Sequence, residues 1–331
     1  NKIMLENPHT FLMKTGSKSS NITKLTEIQY ISGDIMYICI KLRPIYIAAA
    51  AVLAAGLAAL PFVTFPDGRE IIPASAVPEQ PSTEFTVLMY HSLADSPKRA
   101  GEYVFLPEDF ELDMKYLHDN GYNTVSAADV YGYACGKNAL PENPVMITFD
   151  DGFLNVLTYA LPVLEKYDMC AVMNVVGSYS EKSEEYDDHS PAYAYLTPEE
   201  ICELENSGRF EIGSHTYAMH SLDRRRGCSK ISWESESDYY TAFSADCIEN
   251  QRFLADRCGI DTNIFAYPYG YISEGSSTIL GENGYNILFT CYERPNNFSF
   301  GEISEGDTLF IDRYNRPWGR SPEDFLGSIL P

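Results

Sequence analysis

The chain lacks the patterns that would place it in several common classes of protein. None of its eight cysteines forms a C-x-x-C pair, so neither a zinc ribbon nor a dithiol redox motif is indicated. We expect small buried cysteines, with one or two disulfide bridges among them. Positive charge is scarce, and the formal net charge of −23 at pH 7 argues against nucleic acid as a partner, because phosphates are repelled.

One long hydrophobic run is present near the N-terminus. Residues 44–63 are twenty residues without a charge, and a helix of this length spans about 30 Å, the thickness of the hydrocarbon core of a bilayer. Lys41 and Arg43 precede the run, so the positive-inside rule predicts that the part after it faces outward. Residues 74–76 (Ala-Ser-Ala) have the form of a signal-peptidase site, which leaves both a cleaved signal and a retained anchor open.

The chain is therefore predicted to have four parts. They are an N-terminal segment at 1–43 (cytoplasmic, or mis-called if translation begins at Met36), a transmembrane anchor or signal segment at 44–65, a proline-rich linker at 66–84, and a catalytic domain at 85–331. The catalytic domain is expected on the extracellular side, either anchored in the membrane through residues 44–63 or secreted.

From residue 85 onward, short apolar runs of strand length alternate with stretches of helical periodicity. The predicted strands are 85–91, 145–149, 170–176, 210–214, 264–267, 286–290 and 309–313; the predicted helices are 107–120, 153–166, 198–206, 237–258, 276–282 and 322–330. This pattern predicts an α/β fold, a distorted (β/α) barrel of about seven strands preceded by one hydrophobic N-terminal helix. The chemistry of such a barrel lies at the C-terminal ends of its strands.

Polar residues with catalytic potential follow two of these runs directly. Asp150 and Asp151 end one strand, where adjacent carboxylates are costly unless a cation or a proton compensates them. His215 follows another strand, and His220 comes five residues later, a spacing that suits a loop in which two imidazoles converge. Two histidines and one carboxylate are a common ligand set for a catalytic metal with an open position.

A third strand ends in Pro268-Tyr269-Gly270, a constrained loop that can aim a backbone N–H into the site. Residues 148–152 (TFDDG), 214–222 (SHTYAMHSL) and 265–270 (FAYPYG) together resemble the first three motifs of the NodB-homology polysaccharide deacetylases, carbohydrate esterase family 4. The resemblance extends over roughly residue 85 to the C-terminus.

This resemblance implies a role for each residue of the motifs. Asp150 would be the general base, while Asp151, His215 and His220 would hold one divalent metal ion, with zinc favoured and cobalt, nickel or iron also suitable. The backbone N–H of Tyr269 would bind the oxyanion. The implied reaction is hydrolysis of a carbon–nitrogen bond outside peptides, namely removal of N-acetyl groups from N-acetylglucosamine residues of an extracellular or cell-wall polymer.

The sequence departs from the family pattern at two positions. The third motif has Ala266 where an arginine is usual, and no histidine follows His220 to act as the usual C-terminal acid. Residues 89–93 (MYHSL) resemble the Tyr-His motif of the poly-N-acetylglucosamine deacetylase subgroup, in which an early histidine supplies the acid. By this resemblance His91 would protonate the leaving amine, and Arg313 would steer the base.

Two other functions remain open from the sequence. One is an O-acetyl esterase of the same fold, and the other is a catalytically inactive carbohydrate-binding protein, which the two departures make plausible. The polar stretch 177–195 contains four tyrosines and is predicted to be a loop that either walls the substrate groove or is a solvated insertion.

The sequence predicts export of the catalytic domain. A reporter enzyme fused after Ser82 should be active only outside the cytoplasm, because the basic residues before the apolar run stay inside. The same fusion without residues 44–63 is the control and should remain inside. Cytoplasmic activity of the first fusion would contradict both the signal and the anchor interpretation.

Overall fold

The computed structural model describes residues 82–186 and 189–331. The predicted apolar run at 44–63, and with it the predicted N-terminal helix, lies outside these residues. No helix within the described ranges is long and apolar enough to cross a bilayer. The seven cysteines in these ranges have free thiols, so the expected disulfide bridges are absent from this part of the chain.

The strands alternate with helices along the chain, as the sequence predicts. The strands are β1 Ser82–Tyr90, β2 Ser92–Leu93, β3 Val104–Phe105, β4 Asn123–Thr124, β5 Pro144–Phe149, β6 Ala171–Val175, β7 Phe210–Ser214, β8 Ile264–Ala266, β9 Ile287–Phe289, β10 Asn296–Ser299, β11 Leu309–Ile311 and β12 Tyr314–Asn315. The helices are α1 Pro107–Asp119, α2 Ala127–Ala134, α3 Leu161–Lys166, α4 Gly177–Tyr186, α5 Pro198–Asn206, α6 Glu236–Cys258, α7 Ser276–Glu282 and α8 Pro322–Ile329.

The main sheet is barrel-like and nearly closed. Within the described ranges, eight strands follow one another in the order β10-β1-β5-β6-β7-β8-β9-β11. All neighbours from β1 to β11 pair in parallel, whereas β10 is antiparallel to β1. The predicted count of about seven strands is one too low, because Asn-Asn-Phe-Ser in β10 contains no apolar run.

The segment 309–315 brings the two edges of the sheet together. Its first half, β11, pairs with β9, and its second half, β12, pairs with β1. Asp312 and Arg313 lie at the break between the halves, and both are buried. This segment, here called the closing segment, therefore places the guanidinium of Arg313 inside the fold, at the end of the barrel where β1 and β5 end.

The barrel interior and the helix layer form separate hydrophobic cores. Met146 of β5 belongs to a cluster with residues from β1, β6, β8, β9 and β11, which identifies that cluster as the interior. Val145, Ile147 and Phe149 alternate with it and pack beneath the helices. The same alternation carries Asp150, which follows β5, to the inner side.

The helix ends follow local sequence signals. Thr197 and Glu200 form a reciprocal capping box at the start of α5, with hydrogen bonds of 3.3 and 2.8 Å. Gly259 ends α6 in the left-handed conformation, with φ 69°. The bounds of α5 equal the predicted helix, whereas the predicted helix 153–166 contains a π-helical turn at Val156–Ala160.

Two helices were not predicted. Helix α2 closes the N-terminal end of the barrel, where Ala127, Val130 and Ala134 join the interior cluster. Helix α4 occupies the first half of the stretch 177–195 that was predicted to be a loop. Its buried face is made of Gly177, Ser180 and Ser183, and these small polar residues lack the apolar periodicity that reveals a helix in a sequence.

A buried ion pair ties the C-terminal segment to helix α1. Arg316 follows β12 and binds both carboxylate oxygens of Asp113, at 2.8 and 2.9 Å, and both side chains are buried. The hydroxyl of Tyr90, the last residue of β1, donates to the same carboxylate at 2.8 Å. Phe105 and Phe325 flank the guanidinium, whose carbon lies 4.8 and 4.7 Å from their ring centroids.

We expect Asp113→Ala to destabilise the protein by about 3–5 kcal/mol, because Arg316 would remain buried without its counterion. The double variant Asp113→Leu/Arg316→Met should recover much of this loss, since both buried charges are then removed. Urea unfolding of the full-length chain measures the difference. Lys115→Ala is the control, because it breaks an exposed ion pair of the same helix with Asp119 and should leave the midpoint unchanged. Equal losses for Asp113→Ala and the double variant would contradict the argument.

Candidate metal centre

Three loops at the C-terminal ends of β5, β7 and β8 converge on one site. Each contains one non-glycine residue with a positive φ: Asp151 at 74°, Thr216 at 72° and Tyr269 at 58°. Within the described ranges five such residues occur, so more than half of them lie in these loops. Left-handed backbone is costly for residues with a side chain, and its concentration here is typical of functional sites.

Asp151, His215 and His220 offer one ligand atom each, and these atoms lie within 4.8 Å of one another. The Oδ1 atom of Asp151 is 3.0 Å from Nε2 of His220 and 3.6 Å from Nε2 of His215. The structure thus brings together the three residues that the sequence predicted as metal ligands, from two different strand ends.

Hydrogen bonds on the far side of each imidazole assign its tautomer. Nδ1 of His215 lies 2.8 Å from the carbonyl oxygen of Ala266, so this nitrogen carries the proton. The Tyr179 hydroxyl donates to the carbonyl of His220 at 2.9 Å, and its oxygen therefore accepts from Nδ1 of His220 at 3.2 Å. Both Nε2 atoms are then unprotonated and face Asp151, which is the arrangement usual for metal-binding histidines.

The residues present fit a divalent cation. Burial lowers the pKa of His215 to about 4, so its imidazole is neutral near pH 7. The buried Oδ1 of Asp151 has no hydrogen-bond partner among the described residues. Three lone pairs that converge without a proton between them are unfavourable unless a positive charge lies among them. Two imidazole nitrogens and one carboxylate oxygen suit zinc and neighbouring transition metals.

Asp150 lies beside this cluster and is held by two side chains. Arg313 binds both of its oxygens, at 2.7 and 2.8 Å, and Asn174 donates to its Oδ1 at 2.8 Å. Burial would raise the pKa of Asp150, but the adjacent guanidinium of Arg313 outweighs it and holds the pKa well below its ordinary value. The structure therefore places the predicted base against the predicted steering arginine, although the roles themselves stay predictions.

His91 lies between β1 and β2, near the two aspartates. Burial raises the pKa of Asp151, and the nearby imidazole of His91 is among the groups that lower it again. The Nδ1 atom of His91 is buried and has no partner within the described ranges. Its ring packs edge-to-face on Tyr103, with 4.9 Å between centroids. One ring nitrogen of His91 therefore has no partner among the described residues, and the imidazole lies close to both aspartates.

Tyr269 covers the metal cluster from the third loop. Its hydroxyl lies 3.1 Å from Nδ1 of His220, and the two rings are 4.5 Å apart. The sequence assigned it a backbone role only, so the contact of its side chain with His220 is an addition. The predicted role of its N–H in binding an oxyanion stays a prediction.

The sequence analysis missed two buried residues that position the site. Asn174 is a polar residue in the apolar strand β6, and Gly213 leaves room for it, because a Cβ at 213 would lie 2.2 Å from its amide oxygen. Asp246 of α6 accepts the backbone N–H groups of Tyr217 and Ala218 at 2.8 Å each, which fixes the loop between the two histidines. A lone polar residue within an apolar strand was the available signal for Asn174, whereas Asp246 had none.

The chain is similar to known deacetylases in sequence. A family profile described as "Polysaccharide deacetylase" matches residues 137–288. A poly-β-1,6-N-acetyl-D-glucosamine N-deacetylase of Escherichia coli strain K12 is 24% identical over 246 residues, which are 68% of this chain and 36% of that protein. The chain thus spans about a third of the length of this relative. An enzyme of the same name from Staphylococcus epidermidis is 25% identical, over 61% of this chain and 66% of that protein.

Solved structures share the fold. A de-N-acetylase from Aggregatibacter actinomycetemcomitans superposes with a TM-score of 0.61 at 23% identity, covering 71% of this chain and 95% of that one. The structure of IcaB from Ammonifex degensii gives a TM-score of 0.56 at 26% identity, covering 71% of this chain and 92% of that one.

We expect the purified full-length chain to bind about one divalent metal ion, and His220→Ala to lose it. The variant His215→Ala/His220→Ala removes both imidazole ligands and should bind none. Elemental analysis after dialysis measures the content. His118→Ala is the matched control, because His118 is exposed on α1 and pairs with Asp119. Full occupancy in the double variant would show that the metal lies elsewhere.

Proposed function

We propose that this chain, whose residues 137–288 match the polysaccharide deacetylase family, is a metal-dependent hydrolase that removes N-acetyl groups from N-acetylglucosamine residues of an extracellular or cell-wall polysaccharide. The observation that carries this proposal is the convergence of three unprotonated ligand atoms beside a carboxylate that an arginine holds ionised. The names of the relatives add support for the sugar but do not identify the polymer.

A divalent cation held by Asp151, His215 and His220 would polarise the acetyl carbonyl and make water more acidic. Asp150 accepts the proton of the attacking water. Its carboxylate is fixed in one orientation by Arg313 and Asn174, so no reorganisation is needed when the proton arrives. Tyr269 presents its N–H to the developing oxyanion.

The electrostatics of Asp150 favour the role of general base over that of general acid. A carboxyl whose pKa lies well below its ordinary value is ionised at neutral pH, so it can accept a proton but has none to donate. A strong counterion also makes it a weak base, since general bases work best with a pKa near the working pH. Arg313 therefore favours a fixed, ionised base at some cost in basicity.

The leaving amine requires a proton from a different group. His91 lies beside the two aspartates and has a ring nitrogen without a protein partner, and an imidazole is a side chain that suits proton transfer. Of the other described histidines outside the metal cluster, His118 is exposed on α1, and His189 is half exposed and pairs with Glu200. Both are engaged away from the metal cluster, so His91 is the proposed acid.

The proposal also includes the identity of the metal and the location of the enzyme. Two imidazole nitrogens and a carboxylate favour zinc, with cobalt, nickel or iron as alternatives. Export through residues 44–63, with the catalytic domain outside the cell, would bring the enzyme to its polymer.

The reaction is tested by identifying the products formed by the full-length chain. Acetylated glucosamine oligomers with β-1,4 and β-1,6 linkages should yield free amine and acetate. Asp150→Asn should retain the metal and lose about 10² or more in turnover, because the general base is gone. Release of acetate from O-acetyl groups alone would support an esterase instead, and no turnover of either kind would support a binding protein.

A second prediction separates the acid from the base. His91→Asn should leave metal content and folding intact but lower amide turnover by about 10² to 10⁴. Activated esters should be much less affected, because their leaving groups depart without a proton. His118→Asn serves as the control and should match the wild type on both substrates. Equal losses on amide and activated ester, or no loss on either, would show that His91 is not the acid.

A further inference from the structure

A short basic stretch stands beside the site of this acidic protein. Residues 221–230, here called the arginine segment, follow His220 and contain three consecutive arginines. Arg225 points inward, where it binds Glu234 at 2.6 Å and the carbonyl oxygen of Ser229 at 2.7 Å. Arg224 and Arg226, on either side of it in the chain, are exposed.

The two exposed guanidinium groups are not neutralised. Within the described ranges neither Arg224 nor Arg226 has a carboxylate within 4.0 Å, whereas most arginines there, including Arg252, are paired with an acidic residue. Arg224 lies 5.2 Å from the ring of Trp233, and Arg226 lies 5.7 Å from the ring of Tyr271, whose hydroxyl accepts one of its N–H groups at 3.4 Å. These contacts hold each guanidinium in place, and the remaining N–H groups are available for a carboxylate or a phosphate.

The arginine segment is held in place because it packs against the loop after β8, which contains Tyr269. The N–H of Gly227 donates to Ser221 at 2.7 Å, and a Cβ at 227 would lie 2.6 Å from the carbonyl oxygen of Pro268, so only glycine fits at φ 53°. Further along, the N–H of Lys230 donates to the hydroxyl of Ser273 at 2.8 Å. The arginines are thus held by the same loop that carries Tyr269.

A continuous line of rings connects these arginines to the metal cluster. Ring centroids are 4.5 Å apart between His220 and Tyr269, and 6.4 Å apart between Tyr269 and Tyr271. The Arg226 guanidinium follows at 5.7 Å from the Tyr271 ring. Sugar rings stack on aromatic faces of this kind. A glycan whose acetyl group is at the metal can therefore extend along these rings to the guanidinium of Arg226.

Charge opposes an anionic ligand elsewhere on the protein. The net charge of −23 repels anionic polymers in general. Asp223 also lies near the path, because burial raises the pKa of Tyr269 and the charge of Asp223 adds to this shift. Two neighbouring arginines without a carboxylate partner provide a local attraction at this place.

We propose that Arg226, assisted by Arg224, binds an anionic group, a carboxylate or a phosphate, on a sugar neighbouring the one that is deacetylated. The substrate would then be an acidic acetylated amino-sugar polymer rather than a neutral one. This inference rests on the proposed function for the position of the acetyl group, but the arginine site itself is testable by binding alone.

The experiment uses glycan strands of alternating N-acetylglucosamine and N-acetylmuramic acid, and the same strands with their carboxylates converted to methyl esters. Binding is measured on full-length Asp150→Asn, which removes turnover. The charged strands should bind about 5- to 20-fold more tightly than the esters, and the difference should shrink at high salt. A second pair, chitin oligomers with and without phosphate groups, distinguishes the two anions.

Variants test which arginine causes the preference for charged strands. Arg226→Gln should abolish most of it, Arg226→Lys should keep part of it, and Arg224→Gln should have a smaller effect. Arg252→Gln is the matched control, because Arg252 is exposed on α6 and pairs with Glu249. Equal binding of charged and neutral strands, or a preference that survives in Arg224→Gln/Arg226→Gln, would overturn the proposal.

Two outcomes distinguish failure of this inference from failure of the proposed reaction. If the wild type releases no amine from any strand but the preference depends on Arg226, the proposed reaction fails and the anion site stands. If amine is released equally from both strands and binding is equal, the reaction stands and the anion site fails. Loss of binding to vesicles of phosphatidylglycerol in the double arginine variant, with the strand preference unchanged, would assign the arginines to a membrane and overturn the proposal.

Discussion

The buried pair of Arg313 and Asp150 joins the closure of the barrel to its chemistry. Arg313 lies where the closing segment switches from β9 to β1, and Asp150 follows β5 on the inner side. Burial of two charges is costly, and it is tolerated here because further hydrogen bonds from Arg313 to Thr290 and Thr148 satisfy the guanidinium. A pair of this kind is weak evidence for stability, so its value lies in fixing the orientation of the carboxylate.

A second buried pair lies three residues further along the same segment. Arg316 binds Asp113, which accepts the hydroxyl of Tyr90, and Tyr90 immediately precedes His91. The residues proposed as base and acid are therefore both positioned from the closing segment and its continuation. This explains how an acid at the end of the first strand can serve a base at the end of another, since β1 and β5 are neighbours in the sheet.

The metal cluster depends on hydrogen bonds that its two histidines make on the side away from the metal. Carbonyl and hydroxyl oxygens around His215 and His220 accept a hydrogen bond from each Nδ1–H, and this leaves both Nε2 atoms as ligands. Asp246 fixes the loop between the two histidines by accepting two backbone N–H groups. The strained backbone at Asp151 and Thr216 is held by this surrounding network of hydrogen bonds.

The sequence by itself determined the alternation of strands and helices and the residues that follow three of the strands. Apolar runs identify buried strands, and parallel strands end on one rim, so Asp150, Asp151 and His215 were expected to meet there. Only the tertiary structure decided the tautomers of the histidines and the contact of Arg313 with Asp150, a residue 163 positions away in the chain. It also decided helix α4 and the position of the arginine segment. These features depend on contacts between distant segments of polar or small residues, which leave no periodic signal in the sequence.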